Sequence, residues 1–157
     1  MQVIINHQIK DIDWEISDQI RPEGNLIFPY EFYSENKDFL LSRSGKTGVI
    51  LNGEVPVENI ESDLDKLDLI ALDFPNYVDG RCFSHARLLR EAFQYQGDIL
   101  AIGDILRDQV AHLERCGVNL IKFTDHRNIE DALKAFSEFS TPYQPAVDNS
   151  KPVWQLR

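Results

Sequence analysis

From Gly48 onward the chain alternates short apolar runs with amphipathic stretches. The runs GVILN (48–52), LIALDF (69–74), DILAIG (98–103) and VNLIKF (118–123) read as continuous buried strands, with apolar residues for both faces of a sheet. Between them apolar residues return at helical spacing. Val57, Ile60, Leu64 and Leu67 mark a first helix, and Phe83, Ala86, Leu89 and Phe93 a second that Gly97 stops. Leu106, Val110 and Leu113 mark a third, with Gly117 at its exit, and Ile129, Leu133 and Phe136 a fourth. Asp79, Asp104 and Asn128 stand where helix caps belong.

The pattern predicts a βαβα repeat core over residues 48–139, an α/β fold with a mostly parallel sheet, either open or half-barrel-like. Residues 1–47 are less regular. Within them Gln2–Asn6 predicts a short strand and Asn25–Phe28 leads into Pro29. Glu31–Leu41 predicts a helix presenting Phe32, Phe39 and Leu40. Residues 140–157 hold three prolines and no periodicity, which predicts an extended tail whose Trp154 docks on the body or on a partner.

Composition narrows the class. At 157 residues and 43% hydrophobic content the chain can bury the core of a single domain. The start has no basic region followed by an apolar run, and no stretch approaches the roughly 20 apolar residues of a membrane span, so a signal peptide and a membrane partner are not expected. Two cysteines, Cys82 and Cys116, match a reducing, cytoplasmic compartment. The net charge of −10 is concentrated in residues 1–78, which hold 6 basic and 15 acidic side chains. Such a chain repels nucleic acid and anionic lipid. Its acidic half is either a solvated surface or a face for a basic partner protein.

Parallel sheets build their sites at the carboxyl ends of the strands. Three such ends are polar: Asp73 with Asp79, Gly80 and Arg81; Gly103 with Asp104 and Arg107; and Thr124 with Asp125, His126 and Arg127. Asp73, Asp79, Arg81, Asp104 and Arg107 are therefore the candidate catalytic or binding residues, able to orient a small anion or to move a proton. Aspartates that cap helices and arginines that neutralise them give the same pattern without a site. Cys82, in a first helical turn beside Arg81 and three residues before His85, is a candidate reactive thiol.

Other signatures are missing. SGKTG (44–48) lacks the upstream glycine and the following helix of a phosphate loop. There is no G-x-G-x-x-G, no C-x-x-C, no G-x-S-x-G, and the four histidines are scattered, so neither a cofactor nor a metal is expected.

Three blocks carry a resemblance: LDFP with DGR (72–75 and 79–81), ARLLRE (86–91), and GD-x-LRDQ followed by RCG (103–109 and 115–117). Together they resemble the bacterial domain of unknown function 934 family, which is labelled an oxidoreductase of sulfite reduction. Tyr143–Gln144 fits the family's ending, whereas Cys82 stands where a glycine is usual. The resemblance implies a role beside the sulfite reductase hemoprotein of assimilatory sulfur metabolism. An iron–sulfur cluster of the kind coupled to siroheme normally takes four thiolates, and this chain has two. The expected role is therefore an accessory protein acting by contact with the hemoprotein. The alternatives are a small enzyme acting on a small oxyanion at the strand ends and a thiol-based sulfur carrier or redox protein.

Overall fold

The computed structural model describes residues 1–124 and 129–138. Its strands are β1 (Gln2–Ile5), β2 (Gln8–Asp11), β3 (Glu15–Ile16), β4 (Leu26–Pro29), β5 (Thr47–Asn52), β6 (Leu69–Phe74), β7 (Asp98–Gly103) and β8 (Leu120–Ile121). Its α-helices are α1 (Tyr30–Leu41), α2 (Arg81–Arg87), α3 (Val110–Arg115) and α4 (Ile129–Glu138). The strands form one sheet in the order β2-β1-β8-β7-β6-β5-β4-β3, curled into a half-barrel. Every neighbouring pair from β3 to β8 is parallel, and β1 runs antiparallel to both β2 and β8.

This order decides where the helices go. Strands β4 to β8 advance across the sheet in one direction, and right-handed crossovers then deliver every helix to the same face. Packing agrees. The larger core cluster joins Leu72, Phe74 and Ile99 to side chains of all four helices, among them Tyr33, Leu40, Ala86, Leu113 and Ala132. The smaller cluster covers the opposite face with Val3, Ile27, Leu69, Ala71, Leu100, Ile102 and Leu120, and among the described residues it contains none from a helix. Alternation along a strand assigns each residue to a face. In β6, Ile70, Leu72 and Phe74 point to the helices while Leu69 and Ala71 point away.

Strands β6 and β7 fall on the expected residues, whereas the run 118–123 pairs only through Leu120–Ile121. The N-terminal part is more ordered than its sequence suggests, with four strands and α1 within residues 1–41. Its hairpin β1–β2 turns on Asn6 and His7, both at positive φ, as a two-residue loop requires.

Four details differ from the sequence reading. The first helix of the repeat core is a 3-10 helix, Val57–Asp63, because Val57, Ile60 and Asp63 are buried at every third position. Phe39 of α1 is 55% exposed, since the buried face of that helix runs through Tyr33 and Leu40. Helix α2 continues into a π turn, Leu88–Ala92, and ends before Gln94 at φ 53°, ahead of Gly97. Leu106 is 41% exposed because it precedes the 3-10 turn Arg107–Gln109 that leads into α3. Gly117, at φ 102°, does close α3 as its position predicts. The expected cap Asn128 and the tail with Trp154 and Tyr143–Gln144 lie outside the described residues.

Candidate functional site at the strand carboxyl ends

The carboxyl ends of β6, β7 and β8 border a concavity of about 450 Å³. Gln2, Asp73, Ile102, Gly103, Lys122, Phe123 and Thr124 line it. Strand periodicity explains three of them. Asp73 follows Leu69 and Ala71 by steps of two, and Lys122 and Thr124 follow Leu120, so all three continue the helix-free face.

Glycine at position 103 makes the concavity possible. Its φ is 102°, and a Cβ there would stand 2.8 Å from Asp73 Oδ1 and collide with the Phe74 carbonyl. Thr124 donates its hydroxyl to the Gly103 carbonyl at 2.9 Å, tying the end of β8 to that of β7. Burial raises the pKa of Asp73, so this carboxyl holds its proton more tightly than an exposed aspartate. Among the described residues, neither the Asp73 carboxylate nor the Lys122 ammonium has a hydrogen-bond or ion-pair partner. A partly buried carboxyl, a cation and a hydroxyl thus line one half-enclosed space.

The other candidates share this end of the sheet but not this space. Asp79 and Arg81 pair with each other: Arg81 Nη2 donates to Asp79 Oδ2 at 2.6 Å and Nε to Oδ1 at 2.9 Å. The Arg81 backbone N–H also donates to Oδ1, at 3.1 Å, so Asp79 engages the first turn of α2 although Gly80, not Asp79, holds the N-cap position. Hydrogen bonds from Arg81 hold the Asp79 pKa down to about 2. Arg81 lies across Gly53, where a Cβ would come within 2.8 Å of its side chain. Arg107 turns toward α4, with Nε 3.3 Å from Asp131 Oδ2. Asp104 does not cap α3; it is exposed, and the Gln109 side chain accepts from the Leu106 N–H instead. Asp125, His126 and Arg127 lie outside the described residues.

Cys82 departs from its expected chemistry. It is 2% exposed, and its thiol donates to the Asp73 carbonyl at 3.2 Å. Burial, reinforced by Asp79 and Asp73, pushes its pKa up to about 12. The helix start and Arg81 act in the opposite sense and are outweighed. His85 keeps Nδ1 buried without a hydrogen bond, and its pKa is lowered by burial. Among the described residues no cluster of three His, Cys, Asp or Glu side chains can hold a metal ion. No described helix is long and apolar enough to cross a membrane.

The loops around the concavity are braced against one another. Gln109 Nε2 donates to the Tyr77 carbonyl at 3.1 Å, joining the loop after β6 to the turn before α3. Asp104 N–H donates to the Phe74 carbonyl at 2.8 Å. Tyr77 and Val78 remain 56% and 73% exposed beside Leu106. Lys122 and Gln2 were missed because VNLIKF reads as a continuous apolar strand and QVII as an ordinary edge. The available signal was the alternation Leu120, Lys122, Thr124, which places two polar groups on one face just past the strand.

No curated protein matches the chain. A family model described as a bacterial protein of unknown function, DUF934, matches residues 48–154, and the chain belongs to that family.

Proposed function

We propose that this chain serves assimilatory sulfite reduction as an accessory protein, working by contact with the sulfite reductase hemoprotein. One observation carries the reading: the residues that resemble the family signature fold into one braced loop cluster with an apolar surface. Gln109 of LRDQ bonds the Tyr77 carbonyl in the loop between LDFP and DGR, and the Asp79–Arg81 pair fixes DGR itself, leaving Tyr77, Val78 and Leu106 exposed. A preordered loop surface with apolar tips binds a partner at little entropic cost. The arginines of this edge support the same reading, since Arg81 and Arg107 are engaged with Asp79 and Asp131. In this reading the protein acts in the cytoplasm, where Cys82 and Cys116 stay reduced.

Growth of a deletion strain tests the pathway. The expected result is growth on sulfide but not on sulfate or sulfite, restored by the wild-type chain. A double Val78→Asp, Leu106→Asp variant changes only exposed positions and is expected to fold yet fail to restore growth. Normal growth of the deletion strain on sulfate, with no second gene copy, would discard the sulfur assignment.

A further inference from the structure

The concavity beside Asp73 holds chemistry that the docking role leaves unused. Among the described residues at this edge, Lys122 is the cation without a carboxylate within 4.0 Å, whereas Arg81 and Arg107 are both paired. It is half-buried, which strengthens its attraction for an anion relative to bulk water. Asp73 lines the same space, also half-buried and without a hydrogen-bond partner among the described residues. The Thr124 hydroxyl commits its proton to the Gly103 carbonyl, so its oxygen can only accept, from a hydroxyl or protonated group of the ligand. Ile102 and Phe123 add apolar wall. The volume, about 450 Å³, falls within the roughly 300–1,000 Å³ of small-molecule sites.

We propose that this mouth binds a small ligand carrying an anionic oxygen group, with Lys122 on the charge and Asp73 as hydrogen-bond donor to a second ligand oxygen. An ionised Asp73 would repel such a ligand, so the carboxyl must carry its proton in the complex. Burial, which already raises its pKa, lowers the cost of that protonation. Gly103 is the structural condition, because any side chain there would fill the space beside Asp73 Oδ1. Two sources present the same chemistry: an inorganic oxyanion and a small organic acid. The site stands whether or not the chain works in sulfur metabolism.

Calorimetric titration of the full chain with sodium sulfite, sodium sulfate and sodium pyruvate tests it. The expected result is one-to-one binding of at least one of them at millimolar concentration or below. Binding of the inorganic salts alone identifies an oxyanion site, and binding of pyruvate alone an organic-acid site. Lys122→Met, which keeps the apolar stem, is expected to weaken that binding about tenfold or more, the scale of a lost charged hydrogen bond. Lys122→Arg should retain it, and so should Asp73→Asn, which still donates a hydrogen bond. No binding of any of the three anions would overturn the proposal. So would undiminished binding by a Lys122→Met variant with the unfolding midpoint of the wild type.

Discussion

Asp63 shows how a single buried charge is held. It is almost fully buried and accepts from Tyr33 Oη at 2.8 Å, Lys37 Nζ at 2.8 Å and Ser62 Oγ at 3.2 Å. Burial raises its pKa, but the hydrogen bonds from Lys37, Tyr33 and Ser62 outweigh it and leave the carboxyl below its ordinary value. A carboxylate lowered in the folded state contributes stability above its unfolded pKa, and that contribution is lost as pH falls through the folded value. Stability against urea should therefore fall below about pH 4, and Asp63→Asn should remove part of that acid dependence. Tyr33→Phe is expected to cost about 1–2 kcal/mol, since it leaves one carboxylate oxygen short of a donor. Gly103→Ala is a harsher change, because it meets both a left-handed φ and the Phe74 carbonyl. A loss of at least about 2 kcal/mol in urea unfolding is expected. Wild-type stability in Gly103→Ala would contradict the close approach at the mouth.

Among the elements, the π turn Leu88–Ala92 carries Arg90 into a gap between three backbone segments. Its guanidinium donates to the carbonyls of Tyr95 at 2.6 Å, Gly97 at 2.8 Å and Gly117 at 3.0 Å. It also donates to Asn119 Oδ1 and lies over the Tyr95 ring. Arg87 and Arg90 both flank Leu88 and Leu89, and spacing alone does not say which of the two is buried. The extra residue of a π turn leaves no trace in apolar spacing. Arg90→Leu removes the donors of three carbonyls at once and should cost about 3 kcal/mol, read as a fall in urea midpoint. Arg87 is exposed and pairs with Glu91, so Arg87→Leu should change stability by less than about 1 kcal/mol. Equal effects from the two substitutions would contradict this division. Strands β6 and β7 were fully legible because six-residue apolar runs bounded by turn residues have few alternatives. The 3-10 helix Val57–Asp63 was not, since Val57 and Ile60 three apart fit both helix types until Asp63 is seen to be buried.

For the whole molecule, the topology explains which of the residues expected at the strand ends share one space and which do not. A sheet whose strands advance in one direction carries its helices on one face, so side chains beyond the strands divide between two faces. Asp73 continues the helix-free face into the concavity, while Asp79, Arg81 and Arg107 belong to loops and helix starts, Asp79 pairing with Arg81 and Arg107 with Asp131. Sequence placed all of them at one edge, but pairing depends on rotamers and loop paths that spacing does not encode. The same division sets an apolar loop cluster, proposed as a partner surface, and a polar mouth, proposed as a ligand site, at one end of the sheet. The most direct test of the account measures binding of the purified chain to purified sulfite reductase hemoprotein by sedimentation velocity. The account predicts a complex at micromolar concentration that is lost in the Val78→Asp, Leu106→Asp variant and retained in Lys122→Met. No complex with the wild-type chain, or one unchanged by the loop substitutions, would contradict it.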